Sequence, residues 1–452
     1  MRALTAAQTL LLGIQTRAHH IKVEVYRTET SGWVDLTALH GYNWLIGATW
    51  TESLDAPVAN ATIKLVHRIH QMTLNPNFTT ALPNESGVLL KPYKQLRIYT
   101  STDPFGNSSP ADWQLVFRGR IYQVETGRDE ITLECRDEGG NLQDLLHEAT
   151  HKQYGTLAGG TTMQAISQAI LDDNSTGVTL YSTLGDGSPA FDTTVTGTQF
   201  DPAWSPKTIW TPQPQPILDA LSNLWNSIGW DIRFRWQLTM LDYLLVAYKP
   251  IRSGAAVDWT FGADDYEVES ATRSNVHVRN VIDVYYRNAV KASKIYTATD
   301  ATSITNNGRK YMRLAEEDSL IDSVTEATIL GDAMLADLKE PTQYVTLKVP
   351  YFFPIMLNDY VTVTADQVFF SADVTYGVNA ITHTFDAGQP ATTQLTLAGA
   401  PKIVAPLKGT TRHEVKLTTE QRSRLQNMTL NRRAGDGNSN SSLSSYDQKE
   451  SY

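Results

Sequence analysis

The sequence is poor in residues that announce chemistry. One cysteine in 452 residues, Cys135, rules out an internal disulfide. Its place in the alternating run Ile131 to Cys135 predicts a small buried hydrophobe. Lys and Arg number 38 against 48 Asp and Glu, a net charge of -10, so the general basic excess that grips phosphates is missing. No apolar run approaches the roughly 20 residues that span a bilayer, which predicts no stable membrane insertion. Met1 to Ala18 carries Arg2 and Leu10-Leu11-Leu12, but Thr5, Gln8 and Thr9 interrupt it and no small-residue cleavage site follows. The stretch does not read as a signal peptide. No nucleophile elbow, Walker loop or dinucleotide fingerprint appears, and no cofactor is expected.

What is present is an ordinary folding composition, 41% hydrophobic and 19% charged, with room for about three to four domains. Near the start, Ile21, Val23 and Val25 alternate with Lys22, Glu24 and Tyr26, the period of a half-buried strand. Similar runs recur at Ala61 to Val66, Gln95 to Tyr99, Leu115 to Val124 and Ile131 to Cys135, separated by turn-rich stretches. Many short strands with turns between them predict a closed barrel or sandwich, because a sheet must hide both its apolar face and its edges.

After Asp137 the pattern changes. Asn141 to Tyr154 reads as helical, and so does Thr161 to Leu171, with Met163, Ile166, Ile170 and Leu171 at helical spacing. Further on, Ile217, Leu221, Leu224 and Ile228 form one apolar stripe that Gly229 would end. Trp230 to Trp236 and Leu241 to Tyr248 then read as a hairpin packed on that helix. A later helix follows the capping-box match Ser323 to Glu326, with Ala327, Leu330, Met334 and Leu338 on one side and Pro341 beyond its end. Strands return at Tyr344 to Val349, Asp359 to Val363, Val378 to Thr384 and Thr393 to Leu397. Beyond Pro401, Gly435 to Tyr452 is too polar to offset the entropy of ordering, so a flexible tail is expected.

Several segments, in order, resemble one family. Val116-Phe117-Arg118-Gly119-Arg120-Ile121 followed by Ile131-Thr132-Leu133-Glu134-Cys135-Arg136-Asp137 resembles the strand pair closing the first barrel of bacteriophage tail-tip and baseplate hub proteins. Ser53 to Ala61 is similar to the segment before an early barrel strand of that family. Leu357-Asn358-Asp359-Tyr360-Val361-Thr362-Val363 resembles its later turn and strand, and Ile381 to Phe385 with Thr393 to Leu397 is similar to its last hairpin.

The resemblance implies an α+β, mainly β fold: two tube-like β-barrel domains joined by smaller mixed domains, with a disordered C-terminal tail. The divisions are 1–140 for an N-terminal helix and first barrel, 141–275 for a mixed central region, 276–401 for a second barrel with a helix, and 402–452 for the tail. It further implies a non-enzymatic homotrimer at the tail tip of a virion, made in the host cytoplasm. Its implied partners are the tail tube or distal tail protein, the tape-measure protein and a central spike or fibre, with DNA only in transit. The acidic balance adds the expectation that a channel through such a ring repels DNA.

Two chemical readings compete. His147-Glu148-Ala149-Thr150-His151 matches H-E-x-x-H, in which two imidazoles one helical turn apart hold zinc beside a general base, the arrangement of a metallopeptidase. The third ligand is missing at the usual offsets: no Gly and third His follow, and no Glu occurs between Glu148 and Glu267. Asp172 and Asp173 sit at a helix end, and the bland reading is a solvated helix face. Secondly, Trp225, Trp230, Trp236, Trp259 and Tyr285-Tyr286 would line a sugar-binding face in an adhesin module, but their alternation predicts core packing. The expectation is therefore no catalytic, cofactor or metal site.

Overall fold

The computed structural model describes residues 20–27, 32–37, 43–66, 90–101, 113–147, 163–174, 176–178, 180–183, 215–226, 230–237, 242–248, 257–287, 293–314, 324–365, 370 and 372–398. The expected tail, 402–452, lies outside them.

The N-terminal part supplies β1 (His20–Arg27), β2 (Gly32–Asp35), β3 (Leu45–Ser53), β4 (Ala56–Val66), β5 (Gln95–Ser101), β6 (Gln114–Thr126) and β7 (Glu130–Asp137). The alternation predicts their faces correctly: Ile21, Val23 and Val25 are buried, as are Ile131, Leu133 and Cys135. The C-terminal part supplies β13 (Trp259–Phe261), β14 (Glu267–Ser274), β18 (Thr342–Pro350), β19 (Tyr360–Val363), β20 (Val374–Asp386) and β21 (Thr392–Ala398).

These thirteen strands form one sheet, in the order β14-β18-β21-β20-β3-β4-β7-β6-β5-β1-β2, with β19 on β20 and β13 on β19. The fold is α+β and mainly β. The two sheet modules expected at the chain ends are joined edge to edge, not merely linked through smaller domains. The reason is the length of β20. Its first residues pair with β19, from Gly377↔Tyr360 to Val374↔Val363, and its last seven, Ala380 to Asp386, pair antiparallel with Ser53 to Gly47 of β3. One hydrophobic core runs beneath both halves, from Val23 and Ile63 to Val361 and Leu395. Each fully buried Val, Leu or Ile there contributes about 1.5–3 kcal/mol, so the halves share a large stabilising term.

Two smaller units are inserted into this frame. The first contains α1 (Glu138–Asp144), the short β8 (Leu146–His147), α2 (Met163–Asp173), β9 (Leu180–Thr183), the short β10 (Gln215–Pro216), α3 (Ile217–Asn226), β11 (Asp231–Gln237) and β12 (Asp242–Tyr248). Strands β11 and β12 are the predicted hairpin, with β9 added parallel to β12. Ile217, Leu221 and Leu224 of the predicted stripe are buried against Ile166, Ile170 and Leu171. Ile228 and Gly229 lie outside the described residues.

The second unit contains β15 (Val281–Arg287), β16 (Ser293–Thr299), α4 (Ala301–Asn307), β17 (Tyr311–Leu314) and α5 (Val324–Leu338). Here β16 lies antiparallel and β17 parallel to β15. The predicted stripe of α5, Ala327, Leu330, Met334 and Leu338, packs on Ile282, Val284 and Met312. The sequence division at 275 falls between β14 and this unit, whereas pairing puts β13 and β14 with β19 and β18.

Candidate functional site: the seam between the sheet halves

The seam is the contact of β3 with β20, and each of its two sheet faces has a distinct chemistry. Toward the core, Trp50 and Tyr351 close around His383, with ring centroids 5.0 Å and 5.3 Å from the imidazole. His383 Nδ1 lies 2.9 Å from the Thr393 hydroxyl, which also accepts the Phe352 amide at 2.8 Å. The alternation places these groups inward because Trp50 and His383 are a cross-strand pair. Toward the other face, the Thr51 and Thr382 hydroxyls meet at 3.1 Å.

The ends of the seam are fixed by backbone bonds. Leu54 donates to Asn379 O at 2.8 Å, and Val378 and Asn358 donate to Asp359 O and Val378 O at 2.9 and 3.0 Å. Asn358 has φ +68°, a left-handed turn conformation that Asn tolerates better than most residues. Asp359 secures that turn by accepting the Met356 amide at 2.8 Å.

Strand β11 of the first inserted unit bridges both halves. Arg233 donates to Ser53 O at 2.9 Å, and Arg235 donates to Leu357 O at 3.1 Å. Both arginines are about 5% exposed, as charged groups are only when paired. Asp231 supplies the pairing for Arg233, with Nη2 to Oδ2 at 2.6 Å. Tyr243 on β12 donates its hydroxyl to Val116 O in β6. The two turns that carry the family resemblance, at 53–55 and 357–359, are thus the places where the clamp lands. Sequence reasoning misses Arg233 and Arg235, since D-I-R-F-R-W-Q alternates as if its polar positions faced water. The signal available is Asp231 two residues before Arg233, on the same side of the strand.

Asp137 holds the start of the first unit against the frame. Its carboxylate caps α1 by accepting from Gly139 at 2.8 Å and Gly140 at 3.3 Å, and its second oxygen accepts from Ala59 in β4 at 2.9 Å. Burial pushes this carboxyl up to about 7, against the opposing pull of those three amides, with Glu52 adding to the rise. Burial likewise pushes the Cys135 thiol up, and its side chain is 2% exposed, as a core role requires.

The residues of the zinc reading are not brought together on a helix. Helix α1 ends at Asp144 because Leu145 is extended, with φ -83° and ψ 126°. His147 lies in β8 opposite Gln215, fully buried, with Nδ1 2.9 Å from Asn174 Nδ2. Glu148 and His151 lie outside the described residues, and among those described no cluster of three His, Cys, Asp or Glu groups has metal-binding geometry. Of the helix expected over 141–154, the described part ends at Asp144 and is followed by a strand at 146–147, while 148–154 lie outside the described residues.

Asp172 and Asp173 are exposed at the end of α2. Among the aromatic residues, Trp225 and Trp230 stack at 5.4 Å inside the first unit's core and Trp259 packs on Phe352 at 4.7 Å, so these three form no flat exposed row. Tyr286 packs on the second unit's core, and Tyr285 lies under the Arg313 guanidinium at 5.2 Å. Trp236 lies in β11. No described helix is long and apolar enough to cross a membrane.

No protein-family model matches the sequence, and no curated protein matches it. Solved structures do. The tail protein from Neisseria meningitidis MC58 superposes with a TM-score of 0.55 at 12% identity, over 85% of this chain and 99% of that one. The 43 kDa tail protein of prophage MuSo2 from Shewanella oneidensis gives 0.53 at 13% identity, over 84% and 98%. With nearly the whole of each relative matched, the chain has the fold of the phage tail proteins that its sequence resembles.

Proposed function

We propose that this chain is the structural hub of a phage tail tip. Three copies close into a ring in which each copy contributes two sheet halves, so that six similar modules meet the six-fold tail tube. The same ring offers three-fold symmetry to a central spike or fibre, and its opening lets DNA pass. The observation that supports this most is the β3–β20 seam, which makes one rigid frame of two modules while leaving β2 and β14 as the sheet's ends. Rigidity matters because the role is mechanical and needs no catalytic group.

The tail tube or distal tail protein, the tape-measure protein and a spike or fibre are the partners of this reading, at the tip of the virion tail. In it, the thirteen-stranded sheet, including β13 and β14, belongs to the ring, the first inserted unit braces it, and 402–452 docks to a neighbour. Light scattering and averaged electron micrographs of the full chain, alone and with the adjoining tube protein, test the proposal. The expected particle has three times the 50.2 kDa chain mass and a central hole. Monomers under both conditions would overturn it.

A further inference from the structure

The thirteen-stranded sheet ends in two different edges. At one end, β2 is half-buried along all four of its residues. At the other, β14 has Glu269, Ser270, Ala271 and Thr272 exposed in succession, so neither of its faces is covered there. Among the described residues its one strand partner is β18, and its outer backbone groups form a ladder that another strand can join. The bulge between Val268 and Ser270 leaves Ser270 to Ser274 in regular register. Four carboxylates, of Asp264, Asp265, Glu267 and Glu269, stand exposed just before that run. Lys348 lies opposite Glu267, Glu269 accepts from the Gln394 side chain, and Arg273 follows near the strand's end, so the excess at 264–269 stays negative. Carboxylates on an edge strand repel most other edges, which is the ordinary reason to place them there. A basic strand is the exception.

We infer that the β14 edge of each copy accepts residues 402–433 of an adjoining copy as an added basic strand. The inference deepens the ring reading above and rests on it, since it needs a second copy alongside. Segment 402–433, outside the described residues, holds eight Lys and Arg against two Glu, a net +6 in a chain whose total is -10. Within it Arg412, Glu414 and Lys416 alternate with His413, Val415 and Leu417, the period of a strand. In strand addition the main-chain bonds supply affinity and the side chains selectivity, here the match of opposite charges. The acceptor belongs to the adjoining copy for a topological reason. Strand β21 ends at Ala398, level with Tyr344 of β18 and Thr272 of β14. The second inserted unit leaves β14 after Ser274 and returns at Thr342 at that same end, so it lies on the short path from Ala398 round to the free side of β14. Other edges of the sheet fit less well. A second β14 edge would set carboxylates against carboxylates, and the β2 edge carries Asp35 opposite Glu24.

Zero-length carbodiimide coupling of the full-length particle tests the contact, because it joins a carboxylate to an amine only where the two meet. Particles are assembled from a mixture of heavy-nitrogen-labelled and unlabelled chains. The expected product links Glu267 or Glu269 to Lys408 or Lys416, in peptide pairs with one labelled and one unlabelled half. Links confined to a single isotope in an intact three-copy ring place the segment on its own chain and overturn the inference alone. An intact ring without such links has the same consequence. A particle that is monomeric overturns the ring reading and the inference together.

Charge reversal gives a second readout. In a Glu267→Lys/Glu269→Lys ring, trypsin should cut after Arg422 and Arg424 about tenfold faster than in the unaltered ring, the scale of two exposed ion pairs lost and replaced by repulsion. Adding Arg412→Glu/Lys416→Glu should restore the slow rate. Salt at about 1 M, where screening acts within about 3 Å, should speed cleavage of the unaltered ring in the same way. An unchanged rate in the reversed ring would refute the charge match.

Discussion

The two inserted units use the same three-strand pattern, a hairpin plus one parallel strand, yet they are attached to the frame in different ways. The first is welded. Its core takes in Val58 of β4, its Tyr243 joins a small apolar group with Leu115 and Met356, and its arginines end on backbone carbonyls of both sheet halves. The second unit's core is built from its own elements, Ile282 to Leu338. Apolar packing alone makes a domain, whereas directed bonds to another element's backbone make that domain part of a frame. The first unit should therefore unfold with the sheet, and the second should open on its own.

The sharpest way to break this contrast is Arg233→Met. The substitution keeps the apolar stem but strands Asp231 and leaves the Ser53 carbonyl without its donor. Losing one partner of a buried pair costs about 3–5 kcal/mol. The denaturant midpoint of the whole sheet should fall, and hydrogen exchange should rise at the β3–β20 seam as well as in β11. A loss confined to β11 would mean that the first unit is not welded. Met334→Ala is the counterpart in the second unit. It empties part of a core residue that is 1% exposed, at a cost of about 3 kcal/mol, within the range for such truncations. Exchange in β15 to β17 should rise while the seam keeps its protection.

The same contrast explains what the sequence makes legible. Strand faces and helix stripes are readable because each residue's burial follows from its immediate neighbours. Val23 and Leu133 sit where a two-residue period puts them, and Met334 and Leu338 where a helical period does. The seam is not readable, because Thr51 and Thr382 meet across 331 positions and nothing local marks either strand as an inner edge. The H-E-x-x-H match misleads about His147 for a related reason. The chain turns extended at Leu145, whose carbonyl accepts the Ile217 amide at 2.9 Å, and His147 then pairs with Gln215, both partners lying far along the chain. The clamp is hidden because Arg233 and Arg235 obey strand alternation while pointing into carbonyls instead of water.

A third prediction uses pH to sharpen the comparison at the first unit. The Asp137 carboxyl titrates near 7 in the folded chain and near 3.9 when unfolded, so between those values the folded state holds the extra proton. Its contribution to stability is therefore full below about pH 4 and is lost as pH rises through about 7, by up to about 1.4 kcal/mol per pH unit. Unfolding midpoints at pH 5 and pH 8 should differ in that direction, and Asp137→Asn should flatten the difference. An unchanged pH dependence in the variant would remove Asp137 from the account.

The smallest effect, in the second unit, has the opposite sign. Asp300 caps α4 by accepting from the Ser303 amide at 2.7 Å, and Lys339 reaches its other oxygen at 3.0 Å. The Ser303 bond, followed by the Lys339 bond, holds this carboxyl below its ordinary value. Its stabilisation is thus present above about pH 3.9 and disappears as pH falls below that value. Asp300→Ala should cost about 1 kcal/mol, the usual loss for an N-cap. Because the second unit packs on itself, the loss should appear as faster exchange in α4 and around Asn280, whose side chain bonds Ser303 and Gly308 at 3.3 and 2.7 Å. The two capping aspartates then report on the two attachments. Acid removes the cost of a buried charge at Asp137, where the first unit meets the frame, and weakens the cap inside the second, so lowering the pH from 7 to 3 should widen the gap in opening free energy between them. A gap that narrows instead would show that the second unit leans on the frame more than its separate core implies.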